Sequence, residues 1–506
     1  MHSSCRAPRS GARGRFARIP GETPRQKGDT LSDTMTNEVQ SFEPFERRLD
    51  AKLIASIVAA GSLSFSAVVF ETAMNVALPA LMEEFAVDTA TIQWITSGYL
   101  LMLSVMIPTF SFLKARFRSR RLFIAAVGLF LAGTLFCAAA PAFPVLLLGR
   151  VVQGVGTGIA IPLMFSIVVD QVPYEQTGLM MGVASLITSV APAVGPSYGG
   201  VVMEIAGWRM VFVCLVPLLL ISFVVGSICV RQATPLSRPR FDVPGFALLA
   251  LCFFSLILGI NMASREGASP TVAGVFAVFV AALVLFALHI RRSDHPLLNP
   301  GLFAHPVFVA SVVVIAAIAF AILGFAYLVP NYAQLALGAS ASLSGTLLLP
   351  GCGLVAIFAP LGGRVLDRVG AGVPIAIGMG LLLVSTLLFV VFADALTPEL
   401  MLGFYIFFGV GQGFGMSTTM THGLQGLPEE LRTDGSSVFN TLQQLGGSVG
   451  VSAVTAVVGA AQAGASSMHD GTVAGGHAAF MLLAAVIAMA VVANLVAFRA
   501  RRRAAA

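Results

Sequence analysis

Fourteen apolar runs, each about 20 residues long and so of membrane-crossing length, follow one another between Leu53 and Phe498. A helix needs about 20 apolar residues to cross the ~30 Å hydrocarbon core of a bilayer. The runs therefore predict fourteen membrane-spanning helices and an all-α polytopic membrane protein. Of the 506 residues 57% are hydrophobic and 11% charged, against roughly 25% charged in a soluble domain. Little chain is left for a water-soluble unit.

The basic residues test that count. An even number of spans leaves both termini on one side, and a cytoplasmic N-terminus puts 27 of the 30 Lys and Arg residues in cytoplasmic segments. Only Arg265 then falls in an external loop, while Arg150 and Arg209 lie in or at the edge of a span. One missed helix would reverse every later loop and destroy this positive-inside asymmetry. The net charge of +6 is accordingly read as orientation in a cytoplasmic membrane. It does not point to nucleic acid, because the basic residues are scattered at the ends of apolar runs.

Residues 1–50 are polar and Arg-rich, with no acidic residue before Glu22. They read as a disordered cytoplasmic tail, or as an over-extended start with Met35 as the true beginning. The first apolar stretch is too long for a cleavable signal peptide. The three lysines, Lys27, Lys52 and Lys114, stand in no Gly-Lys-Ser/Thr context, so there is no Walker A loop and any pumping must run on a gradient. Five of the six cysteines lie in apolar runs and read as small core residues rather than a disulfide framework.

The chain also repeats. Gln153-Gly154-Val155-Gly156 in the fourth run recurs as Gln412-Gly413-Phe414-Gly415 in the twelfth. That pairs runs one to six with nine to fourteen and makes seven and eight an insertion. The expected organisation is a six-helix bundle over 51–231, two linker helices within 232–306, a second bundle over 307–498 and a basic cytoplasmic tail at 499–506. Many secondary transporters are built from such repeats, with the substrate site near mid-membrane between the halves.

Two ionisable residues stand inside the runs. A charge in hydrocarbon costs ~2.5 to 3.5 kcal/mol on insertion scales, so its default reading is functional. Glu71 precedes Pro79 by eight residues, which puts it ~12 Å from the outer end of a span ending there, at 1.5 Å per residue. Arg150 lies about five residues into the fourth run, again in the outer half by the same rise per residue. Burial favours the neutral acid and a neighbouring guanidinium favours the anion. Together they make a proton switch in which Glu71 takes up and releases the coupling proton and Arg150 sets its affinity.

The fifth run contains Ala191-Pro192-Ala193-Val194-Gly195-Pro196-Ser197-Tyr198-Gly199-Gly200. Gly195 and Gly199 share one helical face and allow close helix approach, while Pro192 and Pro196 favour a kink. The string resembles the antiporter motif G-x-x-x-G-P-x-x-G-G of the drug:proton antiporters of the major facilitator superfamily, with Ala191 for the first glycine. Leu146 to Gly158, LLLGRVVQGVGTG, is similar to the superfamily's fourth-span motif, whose arginine is implicated in proton transfer and matches Arg150. Gly363-Arg364-Val365-Leu366-Asp367-Arg368-Val369-Gly370 resembles the second-half copy of its loop motif, G-x-L-x-D-R-x-G. With fourteen spans, and with FNTLQQLGGSVG from Phe439 to Gly450, the chain most resembles the EmrB/QacA-type branch.

Departures from the pattern are specific. In SFLKARFRSRR the loop motif's leading glycine is Ser111, its acid Ala115 and its later glycine Arg118. Arg116, Arg120 and Arg121 still supply positive charge for an inner gate with Gly363, Asp367, Arg368 and Gly370. The family's first-span acid would fall at Phe70, one residue or ~100° of helix before Glu71. Leu215 replaces the usual sixth-span asparagine, and the second-half position matching Arg150 is Gly409.

Asn75, Gln93, Tyr99, Gln153, Asn331, Tyr332, Gln412, Asn440 and Gln443 are candidates to line a substrate cavity, although each polar residue in a span serves equally well as interhelical glue. As a set they suit an amphipathic organic compound, neutral or monovalent. No cofactor or metal is expected: His422, His469 and His477 have no metal-ligand spacing. His289 and Asp294 match the H-x-x-x-x-D spacing of acyltransferases, but in a short basic loop with no folded domain around them.

The sequence is therefore read as a proton-coupled multidrug efflux antiporter rather than an enzyme. Its partners would be small amphipathic substrates, protons and the bilayer, with a periplasmic adaptor protein as a further candidate. An exporter of an endogenous lipid, metabolite or antibiotic is the alternative, and a membrane acyltransferase the rival from another class.

Overall fold

The computed structural model describes residues 49–505 apart from 234, 238–240, 268, 294–296 and 429–430, and some helical side chains, that of Asp367 among them, lie outside the described set. The N-terminal tail expected over 1–50 falls almost wholly outside it, as does Asp294.

Thirteen helices are long and apolar enough to cross a membrane among the described residues. They are α1 (Ala51–Phe85), α2 (Thr89–Arg116), α3 (Ser119–Ala138), α4 (Phe143–Gln171), α6 (Trp208–Cys229), α7 (Val243–Ala263) and α8 (Pro270–Arg292). After these come α9 (Pro306–Leu335), α10 (Ala341–Leu366), α11 (Gly372–Val391), α12 (Pro398–Gln425), α13 (Asp434–Gly464) and α14 (Met468–Leu495). In the fifth place stands α5 (Tyr174–Ala206), a 33-residue helix. The fourteen apolar runs are thus fourteen helices, and no strand occurs among the described residues.

Helix starts are set by short polar side chains that satisfy the free N–H groups of the first turn. Asp50 accepts from Leu53 N at 2.8 Å, Asp88 from Thr91 N at 2.9 Å and Thr397 from Leu400 N. At the end of α5, Gly207 at φ +81° turns the chain directly into Trp208, a backbone state that glycine enters without steric cost. Several helices run beyond their apolar runs. The 35 residues of α1 would measure ~52 Å at 1.5 Å per residue, well over the ~30 Å core.

The packing of the first six helices recurs eight helices later. α1 lies against α4, α5 and α6, as α9 lies against α12, α13 and α14. Likewise α3 packs on α4 and α6 as α11 packs on α12 and α14, and α2 packs on α4 as α10 on α12. The two sets meet through α2 and α13, α5 and α10, and α1 and α9. α7 and α8 pair with each other, and α7 reaches α2 and α13.

Hydrogen bonds between the two sets gather at the end of the molecule that carries the α1–α2, α9–α10 and α13–α14 connections. Thr89 donates to Gln462 at 2.7 Å, Thr455 to Gln93 at 2.9 Å, and the hydroxyls of Ser97 and Ser452 are 2.7 Å apart. Asn331 donates to the Asn75 carbonyl at 3.1 Å and Gln334 to that of Val76 at 3.2 Å. At the opposite end, Lys114 pairs with Asp170 at 2.7 Å and Arg231 with Asp50 at 2.7 Å, both within or beside the first set.

Cys137, Cys252 and Cys352 are buried as expected of small core residues, but Cys214 is exposed. It lies exposed on α6 beside Tyr198 of α5.

Candidate functional site

The site is assembled on α1, α2 and α4. Pro79 lies inside α1, not at its end; a continuous helix tolerates a proline where neighbouring helices re-satisfy the freed carbonyl. Counted from Phe85, Glu71 is ~21 Å along the helix at 1.5 Å per residue, so it sits near mid-helix, deeper than a span ending at Pro79 implies.

The one-residue offset between Phe70 and Glu71 separates two environments. Phe70 points between α3 and α6, with ring centroids 5.7 Å from Phe130 and 5.4 Å from Phe212. Glu71 instead faces α2 and α4, where it interacts electrostatically with Arg150 and Tyr99. It is 6% exposed, and no contact ion pair joins it to Arg150 among the described residues.

Arg150 is fully buried. Its guanidinium stacks on the Tyr99 ring at 4.2 Å from the centroid, an arrangement that strengthens when desolvated. Nε donates to the Ile95 carbonyl at 3.2 Å and Nη1 to Gln153 Oε1 at 2.8 Å. Gln153 is held in turn, its Nε2 donating to Thr134 at 2.9 Å. The Tyr99 hydroxyl proton is shared between Thr157 Oγ1 at 3.0 Å and the Ala67 carbonyl of α1 at 3.2 Å. The remaining nitrogen, Nη2, has no hydrogen-bond partner. The guanidinium is thus fixed by two bonds and a ring, with one nitrogen in reserve.

Among the cavity candidates, Gln412 lines a small void between the two sets, with room for about one water, together with Thr72, Pro192, Ala326, Cys352 and Tyr405. Asn440 and Gln443 are half-buried on α13. Tyr99 and Gln153 belong to the Arg150 network, Gln93 to the α2–α13 contact, and Asn331 to the α1–α9 contact, while Asn75 accepts from Thr96 through Oδ1 and its buried Nδ2 has no hydrogen-bond partner. Tyr332 donates to the Ala393 carbonyl and packs against Phe480, away from the other candidates.

The antiporter-motif segment wedges between α1 and α10. A Cβ on Gly195 would strike Thr72 of α1, one on Gly199 would lie 2.8 Å from the Ala73 carbonyl, and one on Gly200 would strike the Ala341 carbonyl of α10. Ala191 and Pro196 are buried in the same helix. At the opposite end, Arg116, Arg120, Arg121 and Arg368 are exposed, Gly363 is half-buried and Gly370 turns the chain at φ +82°.

Sequence reasoning missed Asp170. The acid lacking at Ala115 is supplied from the end of α4, where Asp170 pairs with Lys114 and accepts from Ser166 at 2.9 Å. A polar residue in the last turn of the fourth run is the only signal that marks it. His289 bonds Asp242 at 2.6 Å, and Asp242 also caps α7 by accepting from Gly245 N. That histidine ties the two ends of the α7–α8 hairpin together. Among the described residues no group of three or more His, Cys, Asp or Glu is placed to hold a metal.

The model of the Major Facilitator Superfamily matches residues 60–451. Lincomycin resistance protein LmrB of Bacillus subtilis (strain 168) is 32% identical over 413 residues, covering 81% of this chain and 86% of its own length. Multidrug resistance protein B homolog of Mycobacterium tuberculosis (strain ATCC 25618 / H37Rv) is 30% identical over 422 residues, with 81% and 77% covered. A solved bacterial homolog to the human lysosomal transporter Spinster, inward-facing and unoccupied, shares the fold at a TM-score of 0.64 with 16% identity, covering 89% of this chain and 98% of its own. This chain belongs to the Major Facilitator Superfamily and is a multi-pass membrane transporter, not an enzyme.

Proposed function

We propose that the chain is a proton-coupled antiporter that exports amphipathic organic compounds across the cytoplasmic membrane, with both termini inside. Two relatives bear drug-resistance names, which supports efflux. The observation that carries the coupling is the buried Glu71 beside the Arg150–Tyr99 stack: burial disfavours the charged acid while a fixed guanidinium nearby favours it. The spare Nη2 of Arg150 offers the ionised form a partner that the neutral form does not need.

Alternating access follows from rocking α1–α6 against α9–α14 about the space between them, with α7 and α8 as the added pair. In this orientation the hydrogen-bonded end faces outward. Protonation of Glu71 from outside favours release of the exported compound, and deprotonation toward the cytoplasm resets the cycle. The residues around the void between the two sets, Thr72, Ala326, Cys352, Tyr405 and Gln412, include no acid, which favours neutral or monovalent compounds where that space widens to admit one.

The test is export of chemically diverse dyes from cells with and without an uncoupler. Export should stop when the proton gradient is collapsed. Export that persists at full rate contradicts the reading.

A further inference from the structure

The same short stretch of α2 carries both the Arg150 contact and the seal to α13. α2 runs through Gln93 with helical backbone, the Gln93 N–H donating to the Thr89 carbonyl and the Ser97 N–H to that of Gln93. Two residues after Gln93, the Ile95 carbonyl accepts from Arg150. On either side of Ile95, Gln93 accepts from Thr455 and Ser97 bonds Ser452, while Gln93 Nε2 donates to Ser97 Oγ at 3.2 Å. Thr96 donates to Asn75 at 3.2 Å, and the Asn75 carbonyl accepts from Asn331 of α9. Gln93, Ser97 and Ser452 are 0% exposed and Thr455 1%, so water does not compete for these bonds.

We propose that the Gln93–Ser97 segment of α2 is the element that transmits the charge state of Glu71 to the α2–α13 seal, with Gln93 and Ser97 as positioning residues. With Glu71 neutral, Arg150 holds Ile95, the segment keeps its register and the two side chains meet Thr455 and Ser452. With Glu71 ionised, Nη2 swings to the carboxylate, the rotation carries Nε off the Ile95 carbonyl, and the segment is free to leave α13. Tyr99 of α2 and Arg150 of α4 are the titratable groups that interact with Glu71, and Cys137 of α3 lies within reach of Arg150. Among the described residues no titratable group of α5, α6 or α9 interacts with Glu71. A ligand can shift such a two-state element only by its differential interaction with the two states, and for a proton the Arg150 switch supplies that difference.

This proposal rests on the proton-coupled reading, and the experiment separates the two. Spin labels at Glu83→Cys and Ala463→Cys, in a cysteine-free full-length background in nanodiscs, report the α1/α2-to-α13 distance by electron double resonance. Raising the pH should populate a longer distance in the parent, and Glu71→Gln should hold the short one at every pH. Adding Gln93→Leu/Ser97→Ala to Glu71→Gln should restore the long distance, changing the ratio of long to short by about tenfold, a shift of ~1.4 kcal/mol. Thr455→Val/Ser452→Ala, which alters the other helix, should do the same. If both double variants leave the Glu71→Gln protein in its short-distance state, the segment is not the transmitter. If Glu71→Gln itself responds to pH as the parent does, the Glu71 assignment fails and the proposal falls with it.

Discussion

Arg150 sits over the Tyr99 ring, its guanidinium carbon 4.2 Å from the ring centroid, while the same arginine bonds the Ile95 carbonyl four residues before that ring. Stacking and a lateral Nε bond at once require a planar, delocalised cation. Lysine is a compact point charge and cannot supply both. Arg150→Lys is expected to reduce export by about tenfold or more at unchanged membrane abundance, since each contact is worth on the order of 1 kcal/mol or more when desolvated. Dye-efflux rates normalised to protein level measure it.

The register of α1 makes a second expectation. Phe70→Glu buries a carboxylate between Phe130 and Phe212, where no cation is described, at a cost of several kcal/mol. The swap Phe70→Glu/Glu71→Phe should therefore yield unstable, inactive protein even though it restores the acid to the position usual in the family. Thermal unfolding of the purified variants checks this, and an active swap variant would place the acid on the wrong face.

How much of this was legible beforehand depends on what a side chain meets. The fourteen helices were legible because a bilayer imposes length and apolarity on every span. Glu71 and Arg150 were legible because a charge in hydrocarbon is costly. The division between Phe70 and Glu71 was not, since it depends on where α3 and α6 lie around α1. Gln93 and Gln153 announce that they need partners, but a polar residue in a span reads the same whether a substrate or another helix provides them. Asp170 was hidden because its partner Lys114 lies on a different helix.

Glycine positions give a third prediction. A Cβ on Gly409 would strike the Gly351 backbone of α10, and one on Gly199 would lie 2.9 Å from Ala73, whereas one on Gly403 meets nothing within 4 Å. Gly409→Ala and Gly199→Ala should each destabilise by about 1–3 kcal/mol, and Gly403→Ala should be nearly neutral. The Gly409 contact also explains why the second half carries no arginine matching Arg150, since no side chain fits there. Thermal unfolding of the three variants compares them directly.

A fourth concerns the first turn of α1. The Leu53 N–H and Arg231 hold the Asp50 carboxyl below its ordinary value. A depressed carboxylate contributes stability that is present above the ordinary value of 3.8 and lost as pH falls through the folded one. Hydrogen exchange in the first turn of α1, corrected for the intrinsic rate, should be flat from neutral pH down to about 4 and rise only below it. Asp50→Asn should remove that pH dependence.

The central claim is tested most directly by proton movement in proteoliposomes of the purified protein, read with an internal pH dye as an exported compound is added without any gradient. The parent should move protons opposite to the compound, and Glu71→Gln should bind the compound yet move no protons. Compound-driven proton flux undiminished in Glu71→Gln would contradict the account.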